Sequence, residues 1–272
     1  MKSVRPSHLA WVRWYTENRP EWGWRSLTFP ITVHDGPWAR CYYHAFSFWF
    51  AGPAAGDRER QGYTGLLAWD GVQYAKFSAF GDGVEPIDTA HCWNSADGGS
   101  GCSCEVELPH VPGREYLYTV ENDSLAGLHG GDERIWHGWC TDPVTGREDR
   151  IGTWRVPEGF GGLDSEWTAF HEAYTHLPDC SALPYTRVTF GEPYSVPDHA
   201  QGRLGDAYES PMSRCQGACG FDWWREPAEH GGVTVETGFR DRHRPLPRAG
   251  GVDVQVDVRV TDPPRTPPGR TG

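Results

Sequence analysis

The stretch Arg40–Phe50 reads RCYYHAFSFWF and carries apolar side chains at most of its positions. Successive side chains of a β-strand point to opposite faces of the sheet, so a strand here would present two largely apolar faces. One face would carry Cys41, Tyr43, Ala45, Ser47 and Trp49, and the other Tyr42, His44, Phe46, Phe48 and Phe50. Such a strand is covered on both sides or lines a cavity. It therefore predicts either a central sandwich strand covered by the N-terminal segment, or the wall of an aromatic ligand pocket that holds His44.

Alternation of apolar and polar residues recurs along the chain and is strictest at Val252–Val260. Turn residues such as Asp70-Gly71 and Pro112-Gly113 separate the runs, and no segment keeps a helical period. Many short strands at this spacing predict an all-β fold, either a β-sandwich or a jelly-roll-like arrangement. The other alternating runs are Tyr63–Trp69, Gln73–Phe80, Ser103–Leu108, Tyr116–Glu121, Arg134–Cys140, Arg150–Val156, Ser165–Thr175 and Arg187–Phe190.

The length of 272 residues fits a single β-sandwich domain, which we place at residues 1–261. Within it, residues 1–26 are aromatic but irregular in pattern, and we expect them to wrap onto the sandwich. Residues 262–272 are rich in proline and predict a disordered tail.

The charge balance narrows the range of partners. The chain has 25 basic and 37 acidic side chains and a formal net charge of −12. That charge opposes contacts with phosphate groups, so we expect no nucleic-acid partner. Lys2 and Lys76 are its lysines, which leaves little room for Schiff-base catalysis.

The N-terminal segment and the cysteines bear on location. Residues 1–18 lack the apolar core of a signal peptide, and no apolar run is long enough to span a bilayer. We therefore expect a cytoplasmic protein with no membrane partner. In that compartment the eight cysteines would be mostly free, buried thiols. One or two disulfides, or a structural metal, are the alternatives.

Several motifs of cofactor-dependent enzymes are missing from the sequence. There is no phosphate-binding loop that ends in Gly-Lys, and Gly98–Gly101 lacks the spacing of a dinucleotide site. His171 and His176 are five residues apart, whereas the zinc-protease motif needs histidines four apart. We expect no cofactor and no metal site.

One carboxylate carries the catalytic hypothesis. Glu172, Tyr174 and His176 would share a face of the predicted strand Ser165–Thr175. A carboxyl, a phenol and an imidazole that converge in an aromatic cavity can act as general acids and bases, with burial raising the Glu pKa. We name Glu172, His176 and Tyr174 as catalytic candidates, assisted by His44. A polar network between strands, or a solvated face, is the structural alternative.

Aromatic side chains supply the binding candidates. Tyr42 and Trp49 would line the pocket at Arg40–Phe50. Trp136, Trp139 and Trp154 lie near the predicted hairpin at residues 134–156 and could stack on sugar rings or flat ligands. Packing in the core is the other use for such tryptophans.

Short elements in a fixed order resemble domain-of-unknown-function family 3472. They are Tyr63-Thr64-Gly65-Leu66-Leu67, the run Tyr74–Phe80, the turn Gly98–Gly101, Gly113 with Tyr116, Phe170-His171-Glu172, and Arg187–Gly191. The match covers roughly Arg40 to Val196. This resemblance implies an all-β fold and supplies no reaction.

Two functional hypotheses remain. The first is an enzyme that uses acid/base catalysis on a small, largely apolar molecule, as a cyclase, isomerase or lyase does. The second is a non-catalytic carbohydrate-binding β-sandwich that takes a glycan as its partner.

Overall fold

The computed structural model of the protein describes residues 3–36, 42–52, 60–125, 132–226 and 231–239. Within these ranges the chain forms 17 strands. They are β1 (Ser7–Thr16), β2 (Ser26–Asp35), β3 (Tyr42–Trp49), β4 (Gln61–Trp69), β5 (Val72–Phe80), β6 (Glu85–Pro86), β7 (Cys92–Ala96), β8 (Gly99–Glu107), β9 (Glu115–Asn122), β10 (Ile135–Asp142), β11 (Arg147–Arg155), β12 (Glu166–Ala173), β13 (Thr186–Phe190), β14 (Tyr194–Ser195), β15 (Ala200–Glu209), β16 (Asp222–Arg225) and β17 (Val233–Thr237). Short 3-10 helices lie at Asp123–Leu125 and Cys180–Ala182.

The strands pair antiparallel and form two sheets. The front sheet has the order β15-β1-β12-β3-β4-β5-β8-β7. The back sheet runs β6-β11-β10-β9-β2-β13-β17-β16. The short strand β14 pairs with β2 and with β15, so it joins the two sheets at one side. The all-β prediction is confirmed, and the arrangement is sandwich-like.

The core lies between the two sheets and is largely aromatic. Phe46 of β3 stacks on Phe29 of β2 with ring centroids 4.9 Å apart. At the other side, Phe77 of β5 stacks on Trp154 of β11 at 4.5 Å. The strand β3 is thus central, with its inner face in this core, as the sequence at Arg40–Phe50 predicts.

The N-terminal segment differs from its prediction. Residues Ser7–Thr16 form the regular strand β1, which pairs with β12 on one side and β15 on the other. Ala10, Val12 and Trp14 point into the core, while Arg13 and Tyr15 are exposed. The alternation was therefore present, but aromatic residues on both faces obscured it.

The cysteines also differ from the expectation of mostly free thiols. Disulfides join Cys92 to Cys104 and Cys180 to Cys215. Gly152 of β11 packs against the first pair, where a Cβ atom would come within 2.4 Å of the Cys92 Sγ. Among the described cysteines, Cys102, Cys140 and Cys219 are free and buried.

Two further predictions concern residues outside the described ranges. The alternating run Val252–Val260 and the tail lie outside the described residues. No helix in the described part of the chain is long and apolar enough to cross a membrane.

Candidate functional site

A groove of about 1140 Å³ lies on the outer face of the front sheet. Its floor and walls come from β1, β12, β3, β4 and β5. Aromatic side chains dominate its lining, among them Trp11, Tyr43, Tyr63, Trp69, Phe170 and Tyr174. The lining residues of β12 reach from Glu166 to Glu172, six residues apart, so the groove extends for at least about 20 Å at the rise of a β-strand. A groove of this size and lining has room for a flat apolar molecule or for a segment of a polymer.

Glu172 of β12 lies in this groove and is 6% exposed. The Ser7 hydroxyl donates a hydrogen bond to its Oε1 at 3.2 Å, and His8 Nδ1 lies 3.6 Å from its Oε2. Burial raises the pKa of Glu172, while His8, the Tyr174 hydroxyl and Ser7 act in the opposite direction. The carboxyl therefore holds its proton to a higher pH than an exposed glutamate does.

Ser7 adopts an uncommon backbone conformation beside this carboxyl. Its φ is +62°, in the left-handed region that non-glycine residues rarely occupy. The same residue begins β1 and supplies the hydroxyl that binds Glu172. Strain of this kind persists where the surrounding structure holds it and is frequent at functional sites. Ser7 therefore positions the Glu172 carboxyl.

Tyr43 lies next to Glu172 across the strand pair β12 and β3. Directly paired side chains on one face have Cβ atoms about 5 Å apart. Tyr43 is 2% exposed, lines the groove, and its hydroxyl has no hydrogen-bond partner among the described residues. Burial raises the pKa of Tyr43 well above its usual value, so the hydroxyl stays protonated. An unpaired buried hydroxyl costs free energy unless a bound molecule or water accepts its hydrogen bond.

The opposite wall carries a second phenol and a lysine. Tyr63 donates a hydrogen bond from its hydroxyl to Asp97 Oδ1 at 2.7 Å. Lys76 Nζ lies 3.3 Å from Glu105 Oε2 and 5.1 Å from the centre of the Trp93 ring. These contacts hold the Tyr63 and Lys76 side chains in place beside the groove.

The structure brings two of the four catalytic candidates together. Tyr174 lines the groove and hydrogen-bonds to Glu172. His176 is not beside them, because β12 ends at Ala173 and the alternation stops there. Its Nδ1 lies 3.2 Å from the Ser3 hydroxyl instead. His176 is therefore not among the residues that line the groove with Glu172, and its catalytic role stays a prediction.

His44 is also absent from the groove, because it points to the inner face of β3. It is 2% exposed, and its Nδ1 lies 2.9 Å from His171 Nδ1. The other nitrogen of His171 reaches the hydroxyls of Thr237 and Thr186, at 2.8 and 3.1 Å. Burial lowers the pKa of His171 to about 3 and the pKa of His44 well below its usual value. This histidine pair is part of the contact between the sheets, so assistance from His44 in catalysis is not supported.

The predicted binding residues lie mostly in the core. Tyr42 is 1% exposed and packs in the interior with Leu9 and Leu177. Trp136 and Trp154 are fully buried, so neither can stack on a sugar ring. Trp139 is half-buried on the back sheet, where its indole N–H donates to Glu121 at 2.9 Å. Trp49 faces the outer side of β3 and packs against Trp167, with ring centroids 4.9 Å apart.

Sequence reasoning missed Tyr43, His8 and Ser7. Tyr43 shares a face of Arg40–Phe50 with the candidate Trp49, and the alternation alone does not distinguish it from the other residues of that face. Ser7 and His8 come from the other end of the chain and reach Glu172 only because β1 pairs with β12. A local pattern carries no signal for that pairing.

One group of cysteines comes within the spacing of a metal site. The Sγ atoms of Cys92, Cys102 and Cys104 lie within 4.8 Å of one another in the described part of the chain. Two of the three are joined in a disulfide and cannot donate as thiolates in that state. The residues present therefore do not fit a metal ion while this bond is formed.

No protein-family model and no curated protein matches the sequence. Among solved structures, the chain is similar to SCP-B, a member of the eqolisin family of peptidases, in a complex with the tripeptide Ala-Ile-His. The identity is 10% and the TM-score 0.43, over 88% of this chain and 100% of that one. Scytalido-glutamic peptidase with a transition-state analogue inhibitor gives 8% identity and a TM-score of 0.40 over the same shares. At this level of similarity nothing follows about the activity of this chain.

Proposed function

We propose that the protein is an enzyme that moves protons on a small, largely apolar substrate, with Glu172 as the general acid/base. The observation that carries the proposal is the pairing in one groove of a buried carboxyl with a buried hydroxyl that lacks a partner among the described residues. A raised pKa makes the Glu172 carboxylate a stronger base than an exposed glutamate. This chemistry is shared by isomerases, lyases and cyclases.

The two groups divide the work on a carbonyl substrate. Glu172 takes the proton from the carbon beside the carbonyl, and the electron pair of that C–H bond moves onto the oxygen. The Tyr43 hydroxyl donates a hydrogen bond to this oxygen, where negative charge develops. Glu172 then returns a proton to the same carbon, which exchanges its hydrogen, or to the γ carbon of an unsaturated substrate, whose double bond shifts so that the substrate is isomerised without loss of atoms. Tyr174 and Ser7 orient the carboxyl through their hydrogen bonds.

The simplest test measures exchange of hydrogen for deuterium beside the carbonyl. Phenylacetone, 2-indanone and cyclohexanone are incubated with the protein in D₂O, and the loss of the ¹H signal is followed by NMR. We expect exchange above the buffer rate with at least one of them, rising with pH through the raised pKa of Glu172 and then levelling. Glu172→Gln should lose about 100-fold or more, the usual contribution of a general base. Tyr43→Phe should lose less.

Glu107→Gln is the matched control, because Glu107 is exposed on β8 of the same sheet, away from the groove. It should exchange at the wild-type rate. Buffer-level exchange with all three ketones, or full activity in Glu172→Gln, contradicts the proposal. The glycan-binding alternative is weakened, because two of the three tryptophans predicted to stack on sugar rings, Trp136 and Trp154, are buried in the core.

A further inference from the structure

Several basic side chains from the N-terminal part of the chain line the groove, although the protein as a whole is acidic. The protein has a net charge of −12, yet Arg5, His8 and Arg13 all line the groove. Most other arginines in the described ranges form ion pairs with carboxylates. Arg5 and Arg13 form none with any residue that the structure describes. Their guanidinium groups are thus available to an anion that enters the groove.

Arg5 is the one of the two that lies near Glu172. Its guanidinium carbon lies 5.3 Å from the centre of the Tyr174 ring, and Tyr174 hydrogen-bonds to Glu172. Arg5 is half-buried, whereas Arg13 is exposed and lies in β1, eight residues further along the chain. Contact with the ring restricts the Arg5 side chain and leaves the N–H groups at the guanidinium edge unused. A restrained guanidinium of this kind suits a planar carboxylate, which it can bind through two parallel hydrogen bonds.

The surroundings of Arg5 and Glu172 favour a ring on the same ligand. Phe170, His8 and Trp11 line the adjoining part of the groove, with His8 edge-on to Phe170 at 5.4 Å and to Trp11 at 5.9 Å. Aromatic edges and faces arranged in this way bury a flat apolar group well. The unpartnered Tyr43 hydroxyl in the same groove independently indicates a ligand with a hydrogen-bond acceptor.

We propose that Arg5 binds the carboxylate of an aromatic carboxylic acid, whose ring lies against Phe170 and Trp11 and whose reacting carbon lies at Glu172. Only the position of the reacting carbon at Glu172 rests on the proposed function. Binding of the acid by Arg5 can be measured without turnover. The substrate class is thereby narrowed from apolar molecules in general to arylalkanoic acids that carry a second oxygen.

The test compares two probes that differ in charge but hardly in shape, indole-3-acetate and indole-3-acetamide. Their affinities are measured by calorimetry for the wild type and for Arg5→Gln, Arg5→Lys and Arg13→Gln. We expect the wild type to bind the acetate at least about tenfold more tightly than the amide, as a charge-assisted bidentate contact implies. Arg5→Gln should remove the preference, Arg5→Lys should keep part of it, and Arg13→Gln should keep all of it.

The melting temperature of each variant is recorded to show that Arg5→Gln still folds. Equal affinity for the two probes in the wild type overturns the inference. So does loss of the preference in Arg13→Gln rather than Arg5→Gln, or the absence of binding of either probe at millimolar concentration. Glu172→Gln separates this inference from the proposed function, because it should lose proton exchange and keep the preference for the acetate. If that variant keeps exchange while Arg5→Gln loses the preference, the function fails and the anion site stands.

Discussion

Glu172 places a carboxyl group where water hardly reaches it, and this has a cost for folding. Burial raises its pKa in the folded state above the ordinary value of 4.5. Its neutral form is thus compatible with the fold, and its ionised form destabilises the fold. The resulting stability is fully present below pH 4.5 and is lost as the pH rises through the raised pKa.

Glu172→Gln should therefore increase stability at neutral pH while it removes activity. Glutamine keeps the shape and a hydrogen-bond acceptor but carries no charge, so the variant has no penalty at high pH. We expect a melting temperature a few degrees above the wild type at pH 7.5, and no difference at pH 4, since 1 kcal/mol is worth about 2–4 °C in a chain of this size. Calorimetry at both pH values measures this.

Glu107→Gln is the control for stability as well, and should show no such difference between the two pH values. A variant at Glu172 that is less stable than the wild type at pH 7.5 shows that the ionised carboxyl is favourably bound. The raised pKa would then be wrong, and with it the basis for a strong general base.

At the scale of elements, one disulfide joins two segments that lie outside the strands. Cys180 lies in the 3-10 helix after β12, and Cys215 lies in the segment between β15 and β16, 35 residues further along the chain. Cys219, Leu183 and Leu177 pack around the same region in a small apolar cluster. Closing a loop of this length in the unfolded chain contributes about 3–4 kcal/mol to stability.

Cys180→Ser with Cys215→Ser should thus lower the free energy of unfolding by about 3 kcal/mol, measured by urea denaturation. The pair Cys92 and Cys104 closes a shorter loop of 12 residues, and mass spectrometry after alkylation should show both bonds in the purified protein. Cys219→Ser is the control, since Cys219 is a free thiol in the same cluster. Alkylation at Cys180 and Cys215 without prior reduction would contradict the bond.

Disulfides are typical of oxidising compartments, so they count against the cytoplasmic location, which stays a prediction.

The elements themselves differ in how far their sequence predicts them. The predicted strands at β4 and β5 agree with the observed bounds to within two residues, because each strand ends at clear turn residues. Ser26–Asp35 is not among the predicted strands, although Leu27, Phe29, Ile31 and Val33 alternate there, and the proline at its centre counts against a central strand. The position of Glu172 in a groove followed from its strand, whereas Ser7 and His8 depend on a pairing across about 165 residues. Local alternation predicts which face of the sheet a side chain lies on. Which residues it contacts on that face depends on the pairing of strands that are distant in the sequence.

Over the whole molecule, the histidine pair makes the fold sensitive to acid. His44 and His171 lie in β3 and β12 of the front sheet, and His171 binds hydroxyls on β13 and β17 of the back sheet. Desolvation is the largest cause of the lowered pKa of both, and it also lowers the pKa of His110 to about 4. All three are neutral in the fold at pH 6, while an unfolded histidine with a pKa of 6.5 takes up a proton below that pH. Unfolding then binds protons, so stability is complete above pH 6.5 and falls as the pH drops toward about 4 to 3.

Each of these histidines should contribute a loss of about 1.4 kcal/mol per pH unit below pH 6.5, a range in which carboxylates are still mostly ionised. Urea denaturation of the wild type at pH 7.5, 6.0 and 5.0 measures the combined slope. His44→Leu should reduce the slope by one proton, while His199→Gln, at an exposed position, should leave it unchanged. If His44→Leu fails to fold, the dependence of wild-type stability on pH still tests whether the buried histidines are neutral in the fold. A stability that stays level from pH 7.5 to 5.0 would mean that the imidazoles are protonated inside the sandwich, and the contact between the two sheets would then need a counter-charge that the described residues around His171 do not supply.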